Sequence, residues 1–114
     1  MELQFKELDG GIRLVKMVGR LDLPGVEQIQ ADFSRYCAGD RPRVLVDLAQ
    51  MSFLASTGIR LLLNAAKAVA GRGGKIGFVN PSPGLRDVLD VIGILSVIPI
   101  YPDLASATAA LSAG

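Results

Sequence analysis

The sequence predicts a single α/β domain over residues 1–114: a mixed β-sheet of about five strands with about four helices packed on it. Three observations point there. The chain opens with two alternating apolar and polar stretches separated by a turn, and beyond them helix-period segments alternate with short apolar runs. Half of the 114 residues are apolar and a fifth are charged, the balance of one globular unit.

Leu3 and Phe5 alternate with Gln4 and Lys6, Asp9-Gly10-Gly11 supplies turn chemistry, and Ile12 to Val18 resumes the extended pattern, so the opening reads as a β-hairpin. Asp22 suits a helix cap and Pro24 a first turn, while Val26, Ile29, Phe33 and Cys37 recur at helical spacing before Gly39 stops the helix. Val44-Leu45-Val46 has the continuous apolar character of a central strand. Ser56 then opens a helix in which Ile59, Leu62, Leu63, Ala66 and Ala70 form the apolar stripe and Arg60, Asn64 and Lys67 the polar one.

Gly71, Gly73 and Gly74 end that helix, and Ile76 to Val79 reads as a strand. Ser82-Pro83 starts a third helix with Leu85, Val88 and Leu89 inward and Gly93 as its break. Val97-Ile98-Pro99-Ile100 is expected as a last strand, at the sheet edge because of its proline. Asp103 caps a final helix carrying Leu104, Ala107, Thr108 and Leu111 inward. The run from Val91 to Pro102 is too short to span a bilayer and reads as buried structure.

The absence of histidine removes Ser-His-Asp and Cys-His catalysis and histidine metal ligation. A net charge of +1 and few aromatics argue against a nucleic-acid partner. Cys37 lies on an apolar helix face and reads as a small core residue. The glycines around Lys75 close a helix instead of opening one, so they make neither a dinucleotide fingerprint nor a Walker loop. No cofactor, no metal and no membrane insertion are expected, and with one cysteine and no signal-peptide pattern the cytoplasm is the expected compartment.

What remains is the turn at Ser56. A hydroxyl at a helix N-terminus lies beside unpaired N–H groups and the positive end of the dipole, so Ser56 reads either as an N-cap or as a site for added phosphate. Arg60, one turn on, is a cation where the dipole disfavours one; it is either simply solvated or kept for a ligand or partner.

Gly19-Arg20-Leu21-Asp22, Asp47-Leu48, Phe53-Leu54, Ala55-Ser56-Thr57-Gly58, Gly73-Gly74 and the Pro81-Ser82-Pro83 stretch together resemble the STAS domain, shared by bacterial anti-sigma-factor antagonists and sulfate-transporter tails. The resemblance implies a partner-switching antagonist that is not an enzyme. Its partner would be an anti-sigma factor with serine kinase activity, together with a cognate phosphatase. Ser56 matches the phosphorylated serine and is the expected acceptor, with Thr57, the following hydroxyl residue, as the alternative acceptor, and Asp22 matches a nearby acidic residue. The expected partner surface is Asp22, Ala55, Ser56, Thr57, Gly58, Arg60, Asn64 and Lys67. Ala55 replaces the family's usual aspartate, Arg60 a small residue and Arg20 a common glutamate. The alternatives are an unphosphorylated adaptor or scaffold, such as a subunit of a lipid-transport ATPase, and a sensor of a small ligand or nucleotide at the same helix N-terminus.

Overall fold

A computed structural model describes residues 1–113. Its longest strand organises the rest. β1 (Glu2–Leu8) turns through a short 3-10 segment at Asp9–Gly11 into β2 (Ile12–Leu21), and the two pair antiparallel from Glu2↔Val18 to Leu8↔Ile12. Gly10 and Gly11 supply the left-handed residues of that turn, with φ +79° and +73°. After α1 (Leu23–Tyr36), β3 (Arg43–Asp47) lies parallel to the first half of β2. The chain then jogs at Leu48–Gln50, and β4 (Met51–Leu54) runs parallel to the last residues of β2.

α2 (Ser56–Gly71) leads to β5 (Lys75–Val79) beside β3. α3 (Pro83–Val91), a 3-10 turn (Ile94–Ser96), β6 (Ile100–Tyr101) and α4 (Leu104–Ser112) complete the chain. The sheet order is β1-β2-β3-β5-β6, with β4 attached to β2. Alternation along the strands sends neighbours to opposite faces. Val15, Met17, Val46 and Phe78 pack with Phe33, Leu62 and Leu89 of α1, α2 and α3, whereas Leu14, Leu45 and Val79 pack with Ala107 and Leu111 of α4.

The mixed sheet with four helices matches the expected class, and the details differ in five places. A sixth strand, β4, was not expected: four residues with only Met51 fully buried leave little apolar signature. The last strand is Ile100–Tyr101, not 97–100. Ile98 belongs to the preceding turn, where its N–H donates to the Ile94 carbonyl at 2.9 Å, and Pro99 contributes its carbonyl to Phe78 N–H at 2.8 Å. The edge position does hold for β6.

The expected stripe of α2 is rotated. Gly58, Leu62, Ala65, Ala66 and Val69 are buried, Ile59 and Leu63 are half-buried and Ala70 is exposed. Val88 and Leu104, expected inward, are exposed. The run from Val91 is only partly buried: Ile94 and Ile98 enter the core, but Val91 is 86% exposed and Ile92 and Val97 also face outward. A short helix ended by Gly93 and a one-turn 3-10 segment can bury only one side of this run, so the other stays on the surface.

Candidate functional site

The site is built at the end of β2. Leu21 is fully buried and pairs with Leu54 of β4, so the two strands finish side by side. Each is followed at once by a helix. Asp22 is the N-cap of α1 and Ala55 that of α2, and Ala55 N–H donates to the Leu21 carbonyl at 3.0 Å.

Three residues beyond each cap stands a glycine under close approach. A Cβ on Gly25 would overlap the Arg20 carbonyl oxygen, and one on Gly58 would come within 2.6 Å of the Leu21 carbonyl oxygen. Both helix N-termini are therefore seated directly on the backbone of β2, which only glycine permits.

The two caps differ in chemistry. The Asp22 carboxylate accepts from Gly25 N–H at 2.9 Å and from Arg20 Nε at 3.2 Å. The Gly25 hydrogen bond, first, and the Arg20 guanidinium hold its carboxyl below the usual carboxylate range despite an opposing desolvation effect. The same guanidinium lies 4.1 Å over the Phe53 ring, a cation–π contact across β2 and β4.

Ala55 occupies the cap position but has no side-chain acceptor, so no side chain satisfies the first-turn amides of α2. Ser56, expected as a possible N-cap, instead occupies the first helical position, where its hydroxyl does not cap the helix. The first intrahelical donor is Ile59, to the Ala55 carbonyl at 3.0 Å, which leaves the Ser56, Thr57 and Gly58 amides ahead of the ladder. By contrast Ser82 caps α3 through Leu85 N–H and Asp103 caps α4 through Ser106 N–H.

Ser56 is exposed, and Thr57 Oγ1 is buried without a hydrogen-bond partner among the described residues. Ser56, Arg60, Asn64 and Lys67 line one groove with the half-buried Ile59 and Leu63 and the exposed Val97. Asp22, Ala55, Thr57 and Gly58 do not line it; they stand at or just past the ends of β2 and β4, where α1 and α2 begin. Gly58 is itself buried, so it shapes the turn without reaching the surface.

The structure adds Val97 to the groove, and sets Arg20 and Phe53 against each other beside the Asp22 cap. Arg20 and Phe53 stand in recognisable motif segments, but their contact depends on β4, the unexpected strand. Val97 lay in a run that read as core. Cys37 is buried between α1 and α2, and that burial pushes its thiol up to about 11 against the lowering effect of Arg13 and Arg72, so it holds no thiolate at neutral pH.

Among the described residues no group of three or more His, Cys, Asp or Glu side chains is placed to hold a metal, and no helix is long and apolar enough to cross a membrane.

Residues 5–107 match the STAS domain family model. The chain is 26% identical over 110 residues to the putative anti-sigma factor antagonist BtrV of Bordetella bronchiseptica, covering 96% of this chain and 94% of that protein. An anti-sigma factor antagonist from Mycobacterium paratuberculosis has a similar fold, with TM-score 0.85, 23% identity and coverage of 98% of this chain and 94% of that one. The Bacillus cell fate determinant SpoIIAA, solved in its phosphorylated form, superposes with TM-score 0.70 and 22% identity, covering 96% of this chain and 99% of that one.

Proposed function

The chain belongs to the STAS domain family, and from that premise we propose that it is an anti-sigma-factor antagonist that binds an anti-sigma factor with serine kinase activity and is switched by phosphorylation of Ser56. The observation that carries this reading is the exposed Ser56 at the first position of an uncapped α2, seated at the strand ends. The names of its relatives support the antagonist role, and a fold neighbour solved in phosphorylated form supports the chemistry.

In this reading the domain works in the cytoplasm and contributes an acceptor hydroxyl but no catalytic group. Ser56 Oγ attacks the γ-phosphorus of ATP held by the kinase, ADP leaves, and the serine proton passes to a base of the kinase. A cognate phosphatase reverses the step by hydrolysis.

Unmodified, the small side chains of Ala55 and the exposed Ser56 allow close approach of a partner. Phosphate adds about −1.5 to −2 charges. The isolated domain accommodates them, because the Ser56, Thr57 and Gly58 amides precede the hydrogen-bonded ladder and the dipole is positive there. A packed interface does not, since burying an unpaired charge costs several kcal/mol. The modification thus ends binding without unfolding the domain.

Calorimetric titration of the cognate anti-sigma factor tests this reading: unmodified protein binds, and Ser56-phosphorylated protein or Ser56→Asp binds at least tenfold more weakly. Equal affinities would remove the switch.

One observation favours a second reading, a constitutive adaptor. Ala55 stands where the family's acidic residue is usual, so the turn lacks a feature a kinase could recognise. An adaptor binds its partner equally well as Ser56→Asp and is never phosphorylated.

A further inference from the structure

We infer that the groove beside Ser56 receives an acidic amphipathic segment of the partner, held by Arg60 and Lys67, and that phosphate on Ser56 expels it by taking over Arg60; this deepens the antagonist reading and rests on it. The groove, about 410 Å³, has an apolar floor of Ile59, Leu63 and Val97 and a rim of Arg60 and Lys67. Its walls are one-signed. α2 contains no Asp or Glu from Ser56 to Gly71, and the facing 3-10 turn with Val97 contains none either.

Among the described residues, the ion pairs are Arg20 with Asp22 and Arg35 with Asp32, so both rim cations are unpaired. Both are exposed on the face of α2 that also carries Ser56. A seven-residue separation along a helix is about 10 Å, or two turns. A partner helix with an apolar stripe over the floor and carboxylates two turns apart meets both cations at once. Charge of this sign selects against partners with basic or uncharged flanks.

Ser56 and Arg60 are i and i+4 on this helix, the spacing at which side chains meet. A phosphate there competes for the guanidinium through charge-assisted hydrogen bonds and repels the carboxylate it displaces. The modification is therefore read by the groove as well as by the turn. Arg60, which opposes the dipole of its own helix, acquires a purpose in both states.

The test uses two synthetic helical peptides with the same leucine stripe, one flanked by glutamates and the other by lysines, titrated into the 15N-labelled full chain. The expected result is chemical-shift change at residues 56–67 and 97 with the glutamate peptide, weakening as salt rises from about 0.05 to about 0.5 M. The lysine peptide, the double variant Arg60→Glu with Lys67→Glu, and Ser56-phosphorylated protein each bind at least tenfold more weakly. Both side chains are exposed, and circular dichroism of Arg60→Gln with Lys67→Gln checks that the fold persists.

Equal response to the two peptides, no response to either, or shifts confined to another face overturns the inference. A cognate anti-sigma factor whose affinity ignores the charge reversal also overturns it while sparing the antagonist reading. Glutamate-peptide binding by a chain that no anti-sigma factor recognises does the opposite.

Discussion

The N-termini of α1 and α2 are built alike and finished differently. Both follow a leucine at the end of parallel, paired strands, Leu21 and Leu54, and both place a glycine three residues past the cap against a β2 carbonyl. At α1 the cap is Asp22, which satisfies Gly25 N–H and neutralises Arg20. At α2 the cap is Ala55, and the first-turn amides have no side-chain acceptor. The fold can plainly close such an end with a carboxylate. The dipole of α2 is thus left unanswered at an N-terminus whose exposed serine stands at the first helical position, whereas the exposed Ser82 caps α3; that is the electrostatic condition for accepting a phosphate.

The shared architecture is the part most costly to disturb. Gly58→Ala and Gly25→Ala should each destabilise the domain by about 1–3 kcal/mol, with the larger loss at Gly25, because overpacking here meets backbone. Thermal or denaturant melts check this. Unchanged stability in both would mean that the two helices are not seated on β2 as described.

The next effect in size separates the two ends by function. Ser56→Asp should reduce affinity for the anti-sigma factor at least tenfold, about 1.4 kcal/mol, without lowering the melting temperature. Leu23→Asp, at the equivalent exposed first position of α1, should leave affinity within twofold. Comparable losses at both would dissolve the distinction.

Exchanging the caps should exchange the stabilities. Ala55→Asp should gain about 0.5–1 kcal/mol at neutral pH by giving α2 the cap that α1 has. Asp22→Ala should act in the opposite direction. The Asp22 and Asp103 carboxyls are held below their ordinary range by the Gly25 and Ser106 N–H groups respectively, so their stabilising effect is present above the unfolded carboxylate pKa and is lost as pH falls through the folded value. Acid melts of Asp22→Asn should therefore be flatter than those of the unaltered protein across that range.

The smallest effect concerns Arg60. Arg60→Gln should raise stability by about 0.3 kcal/mol by removing a cation from a helix N-terminus, while weakening binding of the acidic peptide. A loss of stability would show that Arg60 holds the fold.

Much of this architecture was legible because it is written in punctuation: Asp22 with Pro24, Ser82 with Pro83, Asp103, and the glycines after α2 mark helix ends that the structure keeps. That Arg60, Asn64 and Lys67 share one face of α2 with Ser56 was legible from their helical spacing. What escaped depends on partners distant in sequence. β4 is a strand because Gly19 to Leu21 receive it, and little in Met51-Ser52-Phe53-Leu54 announces that pairing. Ser56 looked able to cap its own helix, yet the first intrahelical hydrogen bond, from Ile59 N–H, goes to the carbonyl of the extended Ala55, which places the cap one residue earlier. Val91 and Val97 have the composition of core, but the end of α3 and the 3-10 turn after it can bury only one side of this run, and Ile94 and Ile98 take it.

In the proposed switch, Ser56 of this uncapped helix accepts the γ-phosphoryl group of ATP held by the anti-sigma factor it binds. The direct measurement is to incubate the protein with its cognate anti-sigma factor and ATP and to map the products by peptide mass spectrometry. The expected result is one added phosphoryl group, located on Ser56, absent from Ser56→Ala and accompanied by dissociation of the complex. An intact complex with active kinase and unmodified Ser56, or phosphate on Thr57 in its place, would contradict it.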